Sequence, residues 1–394
     1  MHVNFTELTD HITLDSLRSS GATKWVAGDN IIGAFVAEMD FGIAPPITQA
    51  LHKAVDQGLF GYMPASFITD LQRATATMLH SRYGWQVNMS DVRPLPDVIK
   101  ALELAIRHNS RPGSKIIVPT PSYMPFLIIP PMAGRDVIEV PMRFHEGLYR
   151  FDFDELQRAF DDGGHMLILC NPYNPGGRVY DREELEALSE LVDRNGGRVF
   201  SDEIWAPLVY SGRSHIPYAS VNSITAGHTI TALSASKAWN LPGLKCAQIV
   251  TSNDADREIW DKIGFFAAHG ASNLGIIASV AAYESGFEWL ADTLAYLDRN
   301  RQALSALTAE FLPDVRYQQP EGTYVGWLDF RDTAIADKPA AFFKEHASVH
   351  LTEGLSCGAG FQGFARFIFA TPLPIMEEAI QRMGKAMASL PRQA

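Results

Sequence analysis

The feature that most narrows the possible folds is an alternation of short apolar runs with amphipathic helical stretches through the middle of the chain. The runs 115–118, 136–140, 165–170, 197–200 and 229–233 have the length and composition of buried strands. Among the stretches between them, 182–194 puts Leu185, Leu188, Leu191 and Val192 on one helical face, with Asp181 and Glu184 at capping-box spacing. Strands joined by helical crossovers run parallel and are covered on both faces, so the pattern predicts an α/β fold with a mostly parallel sheet. Upstream, Ala34 to Phe41 reads as a short strand, helices are expected from Ile47 and over 68–83, and Asp97 is the expected N-cap of a helix over 98–108. Beyond Ser252 the pattern changes to long helices, then to strands near 322–330 and 365–369 and a closing helix over 376–388. We expect a large domain over 45–290 and a smaller α+β domain from 1–44 and 291–394.

Ligands in open parallel sheets collect at the carboxyl ends of the strands. Those ends run here into Thr120-Pro-Ser-Tyr123, Asn171-Pro-Tyr-Asn174-Pro-Gly-Gly177, Ser201-Asp202-Glu203 and Ser234-Ala-Ser236-Lys237. A lysine between two apolar strands is held out of bulk water, which disfavours its charged form and makes it available to form a Schiff base or carry a proton. Hydroxyls and a second lysine nearby suit a phosphate, and the free N–H groups at the start of the helix after Asp97 suit one too. A Schiff-base lysine, a carboxylate and a phosphate cup are the protein requirements of pyridoxal phosphate. For Ser-x-Ser-Lys alone, an ordinary polar loop remains the competing reading.

Composition excludes other classes. With 45 acidic residues against 33 Lys and Arg, the formal charge of −12 does not recruit a nucleic-acid backbone or an anionic membrane. Cys170, Cys246 and Cys357 are scattered, which argues against a disulfide framework or a zinc site and fits a reducing cytoplasm. The first twenty residues have no secretion-signal pattern, and no apolar run is long enough to span a bilayer.

The motifs Asn171-Pro-Tyr-Asn-Pro-Gly-Gly-Arg178, Ser201-Asp-Glu-Ile204 and Ser234-Ala-Ser-Lys-Ala-Trp-Asn-Leu-Pro-Gly-Leu244 resemble the class I/II aminotransferase superfamily, fold type I of the pyridoxal phosphate enzymes. Ala37-Glu-Met-Asp-Phe41, Thr120-Pro-Ser-Tyr-Met-Pro-Phe126, Pro320-Glu-Gly-Thr-Tyr-Val-Gly-Trp-Leu-Asp-Phe330 and Gly363-Phe-Ala-Arg366 are similar to its cystathionine β-lyase branch. The resemblance implies the three-layer fold of that type. It also implies Lys237 as the Schiff-base lysine, Asp202 at the pyridine nitrogen, Asn174 at the ring hydroxyl and Tyr123 stacked on the ring. For the phosphate it implies Ser234, Ser236, Lys245 and the N–H groups of Val98 and Ile99, with Tyr62 reaching in from the neighbouring subunit of a homodimer. Arg366 is implied for the substrate α-carboxylate, where a guanidinium fork fits better than a lysine; Asp40 is a further substrate-side candidate.

The sequence departs from the family pattern where Lys245 replaces arginine, Asp97 replaces glycine and Trp205 replaces tyrosine or histidine. An indole can donate a hydrogen bond but cannot serve as acid or base. The reaction expected is carbon–sulfur β-elimination from an L-cysteine thioether. The alternatives are an aminotransferase dependent on a 2-oxo acid and a pyridoxal phosphate protein that works by binding a regulatory partner.

Overall fold

The computed structural model describes residues 5–26, 28 and 30–390. Among them, seven strands form the main sheet in the spatial order Val92–Leu95, Ala247–Thr251, Thr229–Leu233, Arg198–Asp202, Gly164–Cys170, Lys115–Thr120, Val137–Pro141. The last five are mutually parallel, as the crossover rhythm predicts, while Ala247–Thr251 is antiparallel to both neighbours. The helix Arg182–Arg194 is capped by Asp181, which accepts from Glu184 N at 2.9 Å, and it buries Leu185, Leu188, Leu191 and Val192. Each such side chain contributes about 1.5–3 kcal/mol of transfer free energy. Val98–Asn109 does the same with Val98, Ala101, Leu102, Ala105 and Ile106 beneath the sheet-facing side, and Asp97 caps it.

A second, antiparallel sheet follows the order Arg316–Tyr317, Val325–Asp329, Phe364–Ile368, Thr352–Glu353. The long helix Phe287–Phe311 ties it down: buried Asn300 donates to Phe369 O at 2.9 Å and Thr371 O at 2.7 Å.

One local expectation is corrected. Ala34 to Phe41 is not a strand. Only Ile32–Gly33 pairs, in parallel with Val349–His350, and residues 34–41 continue as an irregular strap beside Phe364–Ile368. Its backbone bonds to the sheets are isolated ones, Ala34 N to His350 O at 2.9 Å, Ile368 N to Ala34 O at 2.9 Å and Asp40 N to Ala370 O at 3.1 Å, and side chains add to its hold. Val92–Leu95, for which the sequence pattern predicts no element, is an edge strand paired only with Ala247–Thr251, a position where the missing N–H of Pro94 costs little. Residues 1–4 and 391–394, at the ends of the expected smaller domain, lie outside the described residues.

Candidate active site

Four neighbouring parallel strands deliver their carboxyl ends to one cavity of about 670 Å3. Tyr123, Asn174, Asp202 and Lys237, each at or just beyond the end of a different strand, line it. Val98, Ile99, Ser234, Ser236, Lys245 and Arg366 complete the set of expected residues found there.

Lys237 projects from the loop after Thr229–Leu233. Its Nζ donates to Ala37 O at 2.9 Å and lies 5.7 Å from the centre of the Trp205 ring. Burial and the positive charge of Arg366 push its amine down to about 8, against the opposing pull of Glu38 and Asp202. Asp202 ends its strand buried, with Oδ1 accepting from Ile204 N at 3.0 Å. Burial pushes this carboxyl up to about 7, with neighbouring Glu203 adding to the shift. Glu203 is itself held by donors from Ser201 Oγ at 2.9 Å, Tyr218 N at 2.9 Å and the His215 ring at 3.0 Å.

Asn174 is buried in a loop that a charge cluster pins from below. Arg178, fully buried, pairs with Glu184 and lies 3.6 Å from Glu321, whose carboxylate also accepts from Val179 N at 2.9 Å. Asn171 acts as a turn former, its side-chain oxygen accepting from Tyr180 N at 3.3 Å. Tyr123 packs edge-on against Phe126 at 5.5 Å, and burial raises its phenol above the ordinary range.

Arg366 comes from the second sheet. It is 3% exposed, donates to Phe35 O at 2.9 Å and to Asn174 Oδ1 at 3.4 Å, and its Nε is buried without a partner among the described residues. A buried guanidinium with donors to spare suits a carboxylate ligand.

At the helix end, Val98 and Ile99 occupy the first two positions of Val98–Asn109, where backbone N–H groups have no intrahelical acceptor. The Ser236 hydroxyl has no partner among the described residues, but that of Ser234 is engaged: it donates to Cys246 O at 2.7 Å and accepts from Ser236 N at 3.1 Å. Lys245 Nζ sits 3.1 Å from Asp97.

Two expected residues lie elsewhere. Asp40 does not line the cavity; its carboxylate is buried against Lys24 Nζ at 2.6 Å and Trp25 Nε1 at 2.8 Å. The sequence could not show this pairing because Lys24 belongs to an irregular segment. Tyr62, 97% exposed, lines a separate apolar cavity of about 810 Å3 with Phe60 and Phe265.

Apart from Arg366, the wall opposite the sheet carries no role predicted from the sequence. Phe35 stacks on His350 at 4.0 Å, Thr352 lies beside Arg366, and Tyr324 donates to Ala37 O at 3.0 Å, the carbonyl that also receives Lys237. Tyr324 packs edge-on against Trp205 at 4.7 Å, and Asn240 grips the strap by accepting from Met39 N at 2.9 Å and donating to Met39 O at 2.8 Å. Asn240, three residues after Lys237 with φ of 59°, was the available signal, since asparagine tolerates the left-handed region.

A mostly parallel sheet with a lysine, an acid and an amide at its carboxyl edge, facing an arginine from a second sheet, defines the class. The chain belongs to the class I and II aminotransferase family, whose model matches residues 35–383. Within that family it is similar to cystathionine beta-lyase of Corynebacterium glutamicum, 37% identical over 95% of this chain and 99% of the relative. It is also similar to cystathionine beta-lyase PatB of Bacillus subtilis, 29% identical over 98% and 100% of the two chains. Among solved structures, the PLP-bound C-S lyase from Staphylococcus hominis superposes with a TM-score of 0.88 at 28% identity, over 97% of this chain and 98% of that one.

Proposed function

We propose that the chain is a pyridoxal phosphate-dependent carbon–sulfur β-lyase, cleaving L-cysteine thioethers of the cystathionine type to a thiol, pyruvate and ammonia. The observation that carries this reading is the meeting of Lys237, Asp202, Asn174 and the partly unpartnered Arg366 in one cavity. A relative named cystathionine beta-lyase, 37% identical over nearly the whole chain, supports it.

The residues present fit the cofactor. Asp202 is buried with no cation bonded to it among the described residues, which a protonated ring nitrogen would supply. Asn174 offers an amide to the ring hydroxyl and Tyr123 a ring face. Val98 N–H, Ile99 N–H, Ser236 and Lys245 are the donors for the phosphate. Bound there, pyridoxal phosphate supplies an electron sink for the carbanion formed at the substrate α-carbon.

The chain's own work follows from the geometry. Arg366 holds the substrate carboxylate through donors it does not spend on the protein. The amine of Lys237, with its pKa near 8, is neutral in a useful fraction at physiological pH and takes the α-proton. The carbon–sulfur bond then breaks with its electron pair passing to sulfur. Trp205 can neither give nor take a proton, and a thiolate needs little help in leaving because a thiol ionises near pH 8.5. Ala37 O stands ready to accept from the protonated Lys237.

We also assign residues 45–290 to a cofactor-holding domain and 1–44 with 291–394 to a smaller domain that brings Arg366. Exposed Phe60, Tyr62, Phe265 and Phe266 support a homodimer in which Tyr62 serves the partner's phosphate cup. Among the described residues no helix is long and apolar enough to cross a membrane. The three cysteines are free and buried, in keeping with a cytoplasmic setting.

The test is incubation with L-cystathionine without any 2-oxo acid. Thiol and pyruvate should appear together at a steady rate. Arrest after a single turnover, relieved only by a 2-oxo acid, would replace the lyase with an aminotransferase.

A further inference from the structure

The cup that receives the phosphate carries an ion pair of its own. Asp97 accepts from Lys100 N at 2.8 Å with one carboxylate oxygen, capping the helix Val98–Asn109, and meets Lys245 Nζ at 3.1 Å with the other. Both residues line the cavity beside Val98, Ile99 and Ser236. Lys245 adopts a left-handed backbone, φ 51°, at the end of the Pro242–Leu244 turn, and its side chain is 56% exposed against 40% for Asp97. The remaining donors of the cup are neutral, and Ser234 has already spent its hydroxyl hydrogen on Cys246 O. The formal charge of Asp97 and Lys245 together is therefore zero at a place where a dianion is to bind.

We propose that Asp97 is a brake on cofactor retention: its carboxylate opposes the bound phosphate and competes with it for Lys245. The inference rests on the pyridoxal phosphate assignment above. Two features separate the charge of Asp97 from its structural duty. Capping needs only a side-chain acceptor, and asparagine caps as well as aspartate. The opposing effect needs the charge, and at a half-exposed site it is screened by solvent and salt without vanishing. Asp97→Asn thus keeps the bond to Lys100 N, removes a like charge next to the phosphate and frees Lys245 to turn towards it. The wild-type arrangement gives a cofactor held firmly through Lys237 and Asp202 at one end but loosely at the other, so that exchange with free cofactor is faster than the depth of the cavity implies.

The experiment titrates cofactor-free protein with pyridoxal phosphate by absorbance, and with inorganic phosphate as competitor, at low and high salt. Asp97→Asn should lower both dissociation constants about tenfold at low salt, and the gain should shrink towards about twofold in 1 M salt. Binding of pyridoxal, which has no phosphate, should be unchanged. Lys245→Gln should raise both constants about tenfold. Equal or weaker phosphate binding by Asp97→Asn at an unchanged melting temperature would overturn the brake. So would an indifferent Lys245→Gln. Failure of the wild-type protein to bind pyridoxal phosphate at all would instead strike the cofactor assignment.

Discussion

The sheet edge and the strap facing it are both buried, and they treat charge in opposite ways. At the edge, Asp202 accepts from one backbone N–H and stands, among the described residues, without a bonded cation, so burial lifts its carboxyl to about 7. In the strap, Asp40 is locked between Lys24 at 2.6 Å and Trp25 at 2.8 Å. Across the cavity, Arg366 repeats the pattern of the edge, with a buried Nε that no described residue satisfies. Unsatisfied charge in a cavity marks what a ligand must complete, whereas a completed pair marks what the fold needs to hold its shape. On this contrast Asp40 is a positioning residue: it fixes the strap whose Ala37 carbonyl receives Lys237.

The contrast can be broken by mutation. Asp40→Ala leaves the Lys24 ammonium buried without a carboxylate, its remaining acceptor being Glu38 O at 3.5 Å, and should cost about 3–5 kcal/mol of stability, read by thermal or denaturant unfolding. A loss under about 1 kcal/mol would show that the strap is held by other means. Asp202→Asn should leave folding nearly intact while cofactor affinity and turnover both fall by about two decades or more. Near wild-type activity would make Asp202 a bystander. The smallest effect links the two sides. Because burial and Arg366 lower the Lys237 amine to about 8, covalent capture of pyridoxal phosphate by cofactor-free protein should speed up as pH rises through about 8. Arg366→Gln removes the smaller of the two lowering influences, and the midpoint should move up. An unmoved midpoint would mean that the wall does not set the reactivity of the lysine.

The edge was largely legible in the sequence and the wall, Arg366 apart, was not, for physical reasons. The strands around Asn174, Asp202 and Lys237 announce themselves by continuous apolar runs, and their carboxyl ends must share one edge once the sheet is parallel. The strap gave no such signal. Its eight residues from Ala34 to Phe41 look like a strand, but their partners are an asparagine some two hundred positions away, a buried lysine and single backbone contacts. Asp40 was therefore read as facing a substrate when it faces Lys24. The edge strand at Val92–Leu95 was missed because proline punctuates it, although an edge tolerates that. Ser234 shows a finer limit: Ser-x-Ser-Lys carries two hydroxyls, and only the fold reveals that one of them is occupied by Cys246 O. Tyr324 sat within a motif already noticed, yet its bond to Ala37 O depends on the strap's path.

Lys237 is the residue on which the whole account turns, and borohydride reduction of the protein loaded with pyridoxal phosphate tests it most directly. The account predicts a yellow protein whose absorbance band is lost on reduction. Peptide mass mapping should then place the reduced cofactor on Lys237, and Lys237→Ala should fold but show no such adduct and no turnover. Recovery of the adduct on Lys245 or another lysine, or an active Lys237→Ala protein, would contradict it.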